Sequence, residues 1–282
     1  MDKLSNKGFT RSNDETRTNF GAPLRFERPS ILSQVLVALF LLFFLWSTAN
    51  AGLSLSELLA GFPNMATIAG EMVPPATDRV WPMANAILVT FQMALVGTVI
   101  GIALSIPIAI LAARNTSPHP VVRHITRSVV SFFRTVPDLA WALFFVASVG
   151  LGPFAGTLTI IVDTIGFCAR FFAESMEEVD PGPSEALASI GASPMDRIAV
   201  VLMPGAMPSF INISLFSLEK AVRSSVVLGL VGAGGIGAEL AVSMEMFRYD
   251  QAAMIVLMIF ILVFAVEQFS SSTRNRLLRQ SK

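Results

Sequence analysis

From residue 31 onward the chain alternates long apolar stretches with short polar ones. A helix needs about 20 mostly apolar residues to cross a hydrocarbon core roughly 30 Å thick. Six stretches reach or approach that length: 31–51, 84–113, 129–150, 156–173, 208–231 and 251–270. The fourth is interrupted by Asp163 and Arg170 and depends on its flanks for length. In lipid every backbone amide must find its partner within the protein, and single apolar runs do so as helices rather than barrel strands. The pattern predicts an all-α, polytopic membrane protein with six transmembrane helices over 31–270, an N-terminal tail over 1–30 and a C-terminal tail over 271–282.

Composition agrees with this class. Of 282 residues, 53% are hydrophobic and 14% charged, where an ordinary soluble domain has about a quarter charged. The single Cys168 has no partner for an internal disulfide and sits in an apolar run, as a small packing residue would. Ala49-Asn50-Ala51 resembles a signal-peptidase site, but 30 residues precede the apolar core, far more than a signal peptide carries there. An uncleaved first span is expected.

Positive residues set orientation, because Lys and Arg resist export across the membrane. With the N-terminus inside, the tail holds six, the 114–134 region four, the polar insert at 174–204 one (Arg197) and the C-terminal tail four; the opposite side holds Arg79 and Arg248. Both termini and the insert are expected in the cytoplasm of a cell whose inner membrane holds the chain.

The insert has local signals of its own. Pro181 and Pro183 break the preceding helix, Ser184 can cap a new one and Gly191 suits a left-handed stop, which predicts a short helix over 185–190. Ser193-Pro194-Met195-Asp196 then supplies a cap, a proline at the first helical position and an acidic residue at the reciprocal capping position. A second helix should run to Met203 and stop before Pro204. Ala186, Leu187 and Ile190 share a face that suits a groove, although the same pattern describes a loop packed under its own bundle.

The order Glu185-Ala186-Leu187, then Gly191, Val201 and Met203-Pro204 resembles the Glu-Ala-Ala loop of ABC importer permeases, the cytoplasmic element that docks onto the ATP-binding subunit. Leu187 stands where that loop has its second Ala, Val201 where it has Ile, and Met203 where it has Leu. Two further stretches, Arg134 to Trp141 with Gly150 to Gly156, and Arg223 to Gly237, are similar to phosphonate-type importer permeases. The resemblance covers roughly residues 80 to 275. It implies a type I ABC importer fold, a homodimer of permeases, two ATP-binding subunits and an extracytoplasmic solute-binding protein. ATP and Mg would then belong to the partner, with no cofactor on this chain, no nucleic acid, and a phosphonate or related phosphorus oxyanion as cargo. The coupling residues it points to are Glu185, Ala186, Leu187, Ile190, Gly191 and Pro204.

Gly232, Gly234, Gly235 and Gly237 satisfy the spacing of a dinucleotide-binding loop, which also requires a preceding strand in a βαβ unit. Here an apolar span precedes them. A flexible or re-entrant turn at the outer end of the fifth span fits better, placed where it could gate a pathway.

Charge inside the apolar runs is the other functional signal. Asp163 and Arg223 each lie about eight residues in from the outer ends of their spans, roughly 12 Å deep, and could pair; Glu219, one turn from Arg223, competes for it. Two roles are open. Arg223, helped by Lys220, Ser224 and Ser225, could attract an anion along a pathway, a guanidinium being suited to a pair of phosphorus-bound oxygens. The same residues could form a purely structural salt bridge with Asp163 or Glu219.

Weaker signals complete the reading. Gly97 and Gly101 form a small-xxx-small pair for close helix contact. Arg134 and Asp138 read as an interfacial anchor and its neighbour. His119 and His124 lack the company of a metal site, and no nucleophile, base and orienting group assemble for catalysis. Carriage of another small solute, or an ion-coupled transporter using Asp163, Glu219 and Arg223 as a relay, are the competing functions.

Overall fold

The computed structural model describes residues 30–52 and 54–280, with side chains as far as Arg276. The tail expected over 1–30 lies outside the described residues except for Ser30, as do residues 281–282 of the C-terminal one. The chain divides into two units, 1–62 and 63–282. In the first, α1 (Ile31–Asn50) opens at Ser30, whose hydroxyl accepts from the Ser33 N–H at 3.2 Å, and it is long and apolar enough to cross a bilayer. The helix α2 (Leu55–Glu71) begins in this unit and ends in the next, within a stretch where the pattern predicts only a connection.

The second unit is a helical bundle. Its elements are α3 (Val80–Ala112), α4 (Pro120–Thr135), α5 (Asp138–Val149), α6 (Pro153–Glu177), α7 (Pro181–Ser189), α8 (Pro194–Arg197), α9 (Met203–Leu228), α10 (Ile236–Glu245) and α11 (Tyr249–Gln280). Among the described residues five helices are long and apolar enough to span a membrane, or six if the bent pair α4 and α5 counts as one.

The most extensive pairing is between α3 and α6. Small residues make it possible: Ala94, Gly97, Thr98, Gly101, Ser105 and Ala109 recur every third or fourth position on α3 and are buried. A Cβ on Gly97 would sit 2.7 Å from Ile160 Cγ2, and one on Gly101 2.5 Å from Thr164 Cβ. The glycine pair is therefore a packing device. Around this seam, Met93, Ile160, Val222 and Leu228 form a core in one half of the bundle. Cys168, Phe172, Met176 and Phe210 form another, with the Phe172 and Phe210 rings stacked at 4.2 Å.

The third span is not one helix. The chain turns by 88° between α4 and α5, because Pro137 lacks the N–H of a continuing helix and forces Val136 into extended backbone at φ −74°, ψ 125°. Trp141 fills the angle, packing edge-on against Phe132 and Phe133 with centroids 5.9 Å away in both cases. Before the bend α4 is tied down by Arg127, which donates to Glu177 at 2.7 Å and to the Ala112 carbonyl at 2.9 Å. The sixth span also differs from expectation. It continues past residue 270 as helix to Gln280, held by Arg274, which donates to Glu219 at 3.2 Å.

Adding one methyl at Gly101 should lower thermal stability in detergent by about 1–3 kcal/mol, the usual cost of overpacking. Gly70→Ala, where a Cβ would meet nothing within 4 Å, should be neutral or stabilising by up to about 1 kcal/mol. Melting midpoints of the two variants measured side by side check this, and equal midpoints would contradict the packing role.

Candidate functional site

The polar insert folds as two helices around an elbow, with its ends displaced from expectation. The first helix, α7, opens at Pro181 rather than Glu185, because Asp180 and not Ser184 caps it, accepting from the Gly182 N–H at 3.0 Å. Pro181 and Pro183 fall in the first turn, where a missing N–H leaves no bond unmade. At the other end the Gly191 N–H reaches the Ala188 carbonyl at 3.0 Å and the Ala192 N–H reaches that of Leu187 at 3.1 Å. Gly191 adopts φ +86° with open space where a Cβ would stand, so glycine serves the backbone conformation here. Glu185, Ala186 and Ile190 face outward, Ile190 at 80% exposure, and Leu187 is half-buried.

Ser193 and Asp196 form the expected reciprocal cap: Ser193 Oγ accepts from the Asp196 N–H at 3.2 Å, and Asp196 Oδ2 accepts from the Ser193 N–H at 3.1 Å. The expected stop before Pro204 does not occur. Instead α8 runs through a π-helical stretch (Ile198–Leu202) into α9, one helix from Pro194 to Leu228. The Met203 N–H reaches back to the Ile198 carbonyl, and this wider turn accommodates Pro204, which needs no acceptor. The elbow is thus joined by unbroken helix to the charged middle of α9.

That middle pairs two of its charges, each with a different neighbouring helix. Lys220 donates to both carboxylate oxygens of Asp163 on α6, at 2.6 and 2.8 Å, with its ammonium 5.5 Å from the Phe167 ring centroid. Glu219 takes Arg274 on α11. Neither expected partner reaches Arg223, which is exposed and has no ion pair among the described residues. Helical geometry explains the outcome: Glu219 and Arg223 lie about 100° and about 60° round the helix from Lys220, so only Lys220 faces α6. The separate pairing of Asp163 and Glu219 also breaks up an ion relay through Arg223.

Arg223 lines an open cavity of about 450 Å³ with Lys220, Ser224, Val227, Pro137 and Asp138. Ser224 donates to Asp138 Oδ2 at 2.9 Å. Asp138 is therefore a cavity residue and not the neighbour of an interfacial anchor; the bend at Pro137 brings it there. Its signal in the sequence was a Pro-Asp pair inside an otherwise apolar run. Arg134 instead lies over the Phe171 ring, 5.5 Å from its centroid. Ser225 does not belong to the cavity: it is fully buried and its hydroxyl donates to the Val222 carbonyl at 2.8 Å.

The glycine cluster forms a turn after α9, and helix rather than strand precedes it. Gly232, Gly234 and Gly235 have φ of +91°, +78° and +75°, and α10 folds back beyond them. The turn is close-packed and not loose. A Cβ on Gly229 would stand 2.7 Å from Gly237 Cα, the Gly152 N–H donates to the Gly232 carbonyl at 2.9 Å, and the Ile236 N–H donates to Thr90 Oγ1 at 2.8 Å.

Residues 105–271 match the family of binding-protein-dependent transport system inner membrane components. The chain belongs to that family. The permease is 42% identical over 218 residues to the phosphate-import permease protein PhnE of Mycolicibacterium smegmatis, an alignment covering 77% of this chain and 41% of that protein, so it spans about two-fifths of that relative's length. It is 38% identical to the phosphite transport system permease protein PtxC of Stutzerimonas stutzeri over 79% of this chain and 81% of that one. The bundle also matches the inward-facing MetNI methionine ABC transporter with a TM-score of 0.64 at 22% identity, over 72% of this chain and 99% of that one. The fold is that of a type I ABC importer permease, a multi-pass inner-membrane protein.

Two outcomes test this geometry. Lys220→Met leaves the half-buried Asp163 carboxylate without its cation and should lower stability by about 1–3 kcal/mol, whereas the Lys220→Met, Asp163→Asn double variant should regain part of that loss in detergent melts. In the insert, outside the apolar span, hydrogen bonds from the Ser193 side chain and backbone hold the Asp196 carboxyl below its ordinary value of 3.8. A depressed carboxyl contributes stability above the ordinary value and loses it as pH falls through the folded one. Ser193→Ala should raise the Asp196 titration midpoint toward 3.8, read by carboxyl-carbon NMR.

Proposed function

We infer that the permease is the membrane-spanning subunit of an ATP-driven importer that carries phosphonate or a related phosphorus oxyanion into the cytoplasm. Two copies form the pore, each docked through Glu185, Ala186, Leu187, Ile190 and Gly191 to an ATP-binding subunit that holds ATP and Mg and hydrolyses it. A solute-binding protein delivers cargo from outside, where the Gly232, Gly234, Gly235 and Gly237 turn serves as outer gate. Both termini and the α7 elbow lie in the cytoplasm, as the excess of Lys and Arg on that side supports.

One observation carries this reading: an outward-facing α7 and its Gly191 elbow are continuous, through α8 and the π-helical stretch, with the helix bearing Lys220 and Arg223. Closure of the ATP-binding subunits would push on α7, and rigid helix would pass that displacement to the cavity some 30 residues on. The cargo follows from the names of the relatives and from Arg223. A guanidinium with no ion pair among the described residues, lining one cavity with Ser224, offers the forked donors that phosphorus-bound oxygens accept.

Gly191→Val places a β-branched residue in left-handed backbone at a cost of about 1–2 kcal/mol, and Glu185→Lys reverses the charge of the docking face. Each should reduce ATP-driven uptake at least about tenfold and weaken co-purification of the ATP-binding subunit, with membrane levels of the permease unchanged. Wild-type uptake and co-purification in both variants would overturn the docking role. Competition among phosphonate, phosphite and phosphate in the reconstituted transporter identifies the cargo.

A further inference from the structure

The cavity that receives Arg223 also contains a carboxylate, an odd group to place on the path of an anion. Lys220 is committed to both oxygens of Asp163, which leaves Asp138 and Arg223 as cavity groups of opposite charge with no ion pair among the described residues. Asp138 is oriented by Ser224, which donates to its Oδ2 at 2.9 Å. It is faced by Lys220, Arg223 and Ser224 from α9, and by Asp163 from α6, whose carboxyl lies within hydrogen-bond reach of it. A carboxylate accepts about four hydrogen bonds and donates none, so the Ser224 bond and the contact with Asp163 still leave acceptor capacity in a cavity of about 450 Å³.

An ionised carboxylate has opposite effects on two kinds of anion. Toward an oxyanion whose oxygens carry no hydrogen it presents like charge and a lone pair against a lone pair. Toward one that retains a P–OH group it is the natural acceptor of that hydrogen, in a charge-assisted bond. We propose that Asp138 reads the proton on the transported anion: Arg223 takes the deprotonated oxygens, Asp138 accepts from the P–OH, and Ser224 holds the carboxylate in place. The cavity then selects singly protonated phosphorus oxyanions over anions of similar size that carry no proton, such as sulfate. A site built around one hydrogen bond rejects the analogue that lacks it more strongly than a site relying on shape alone. This rests on the phosphorus-oxyanion reading above and adds a specificity-determining residue to it.

The test uses the full-length permease purified with its ATP-binding subunit, without the solute-binding protein, in equilibrium dialysis against radiolabelled methylphosphonate and radiolabelled sulfate. Wild type should retain methylphosphonate about tenfold better than sulfate, and better below the ligand's second ionisation than above it. Asp138→Asn should retain both anions alike and lose the pH preference, Asp138→Glu should keep the preference, and Ser224→Ala should weaken it without abolishing retention. Gel filtration of each variant ensures that folded complexes are compared, and Ser224→Ala carries the test if Asp138→Asn does not fold. Wild-type selectivity in Asp138→Asn, or equal retention of sulfate by wild type, overturns the proposal. Uptake of methylphosphonate by the complete transporter, measured in parallel, separates the two levels. Normal uptake with unselective retention removes the role of Asp138 alone, whereas absence of uptake for every phosphorus oxyanion removes the transport reading as well.

Discussion

Where Gly97 and Gly101 carry no side chain, α3 approaches α6 until Ile160 and Thr164 fill the space a Cβ would need. Between helices in lipid there is little hydrophobic drive, since the surrounding tails are as apolar as leucine; close contact and interhelical hydrogen bonds do the work. The remaining faces of α6 then receive α4, α5 and α9. Gly166 backs onto Phe133 and Arg134 of α4, and Asp163 meets Lys220 of α9. Because that ion pair holds Lys220, Arg223 is left to the cavity. The charge pattern of the cavity thus depends on a seam that contains none of its residues.

Interruptions of regular helix shape the cavity, the elbow and the glycine turn. Pro137 folds the third span and delivers Asp138 to Ser224. Pro204 is absorbed by a π-helical stretch, so that the elbow and the cavity share one helix. The turn after α9 turns the chain back through three glycines in left-handed backbone. In hydrocarbon an unmade backbone hydrogen bond is costly, so irregular backbone persists only where side chains or neighbouring helices satisfy it. Thr90, accepting from the Ile236 N–H, and the Gly152 N–H, donating to Gly232, do so at the glycine turn.

Much of this was legible in the sequence because it depends on near neighbours along the chain. Apolar length placed the spans, Ser193 and Asp196 announced their reciprocal cap, and Gly191 announced a left-handed stop. Local signals erred where two of them competed. Asp180 and Ser184 are both capable caps, and Asp180 prevailed because prolines are tolerated in a first turn. Pro204 reads as a helix stop in isolation, but a wider preceding turn removes the clash that would stop it.

By itself the sequence determined the membrane class, the helical architecture, the polar insert with its elbow, and the presence of charge within the spans. Only the tertiary structure decided how those charges pair. Asp163, Glu219, Lys220 and Arg223 were all visible as candidates, yet the partner of each depends on the rotation of α9 about its axis against α6 and α11. That rotation is set by the packing of uncharged side chains far away in sequence. Asp138, brought to Ser224 across 86 positions, belongs to the site for the same reason: periodicity along a helix records which face a residue occupies, but not what stands opposite that face.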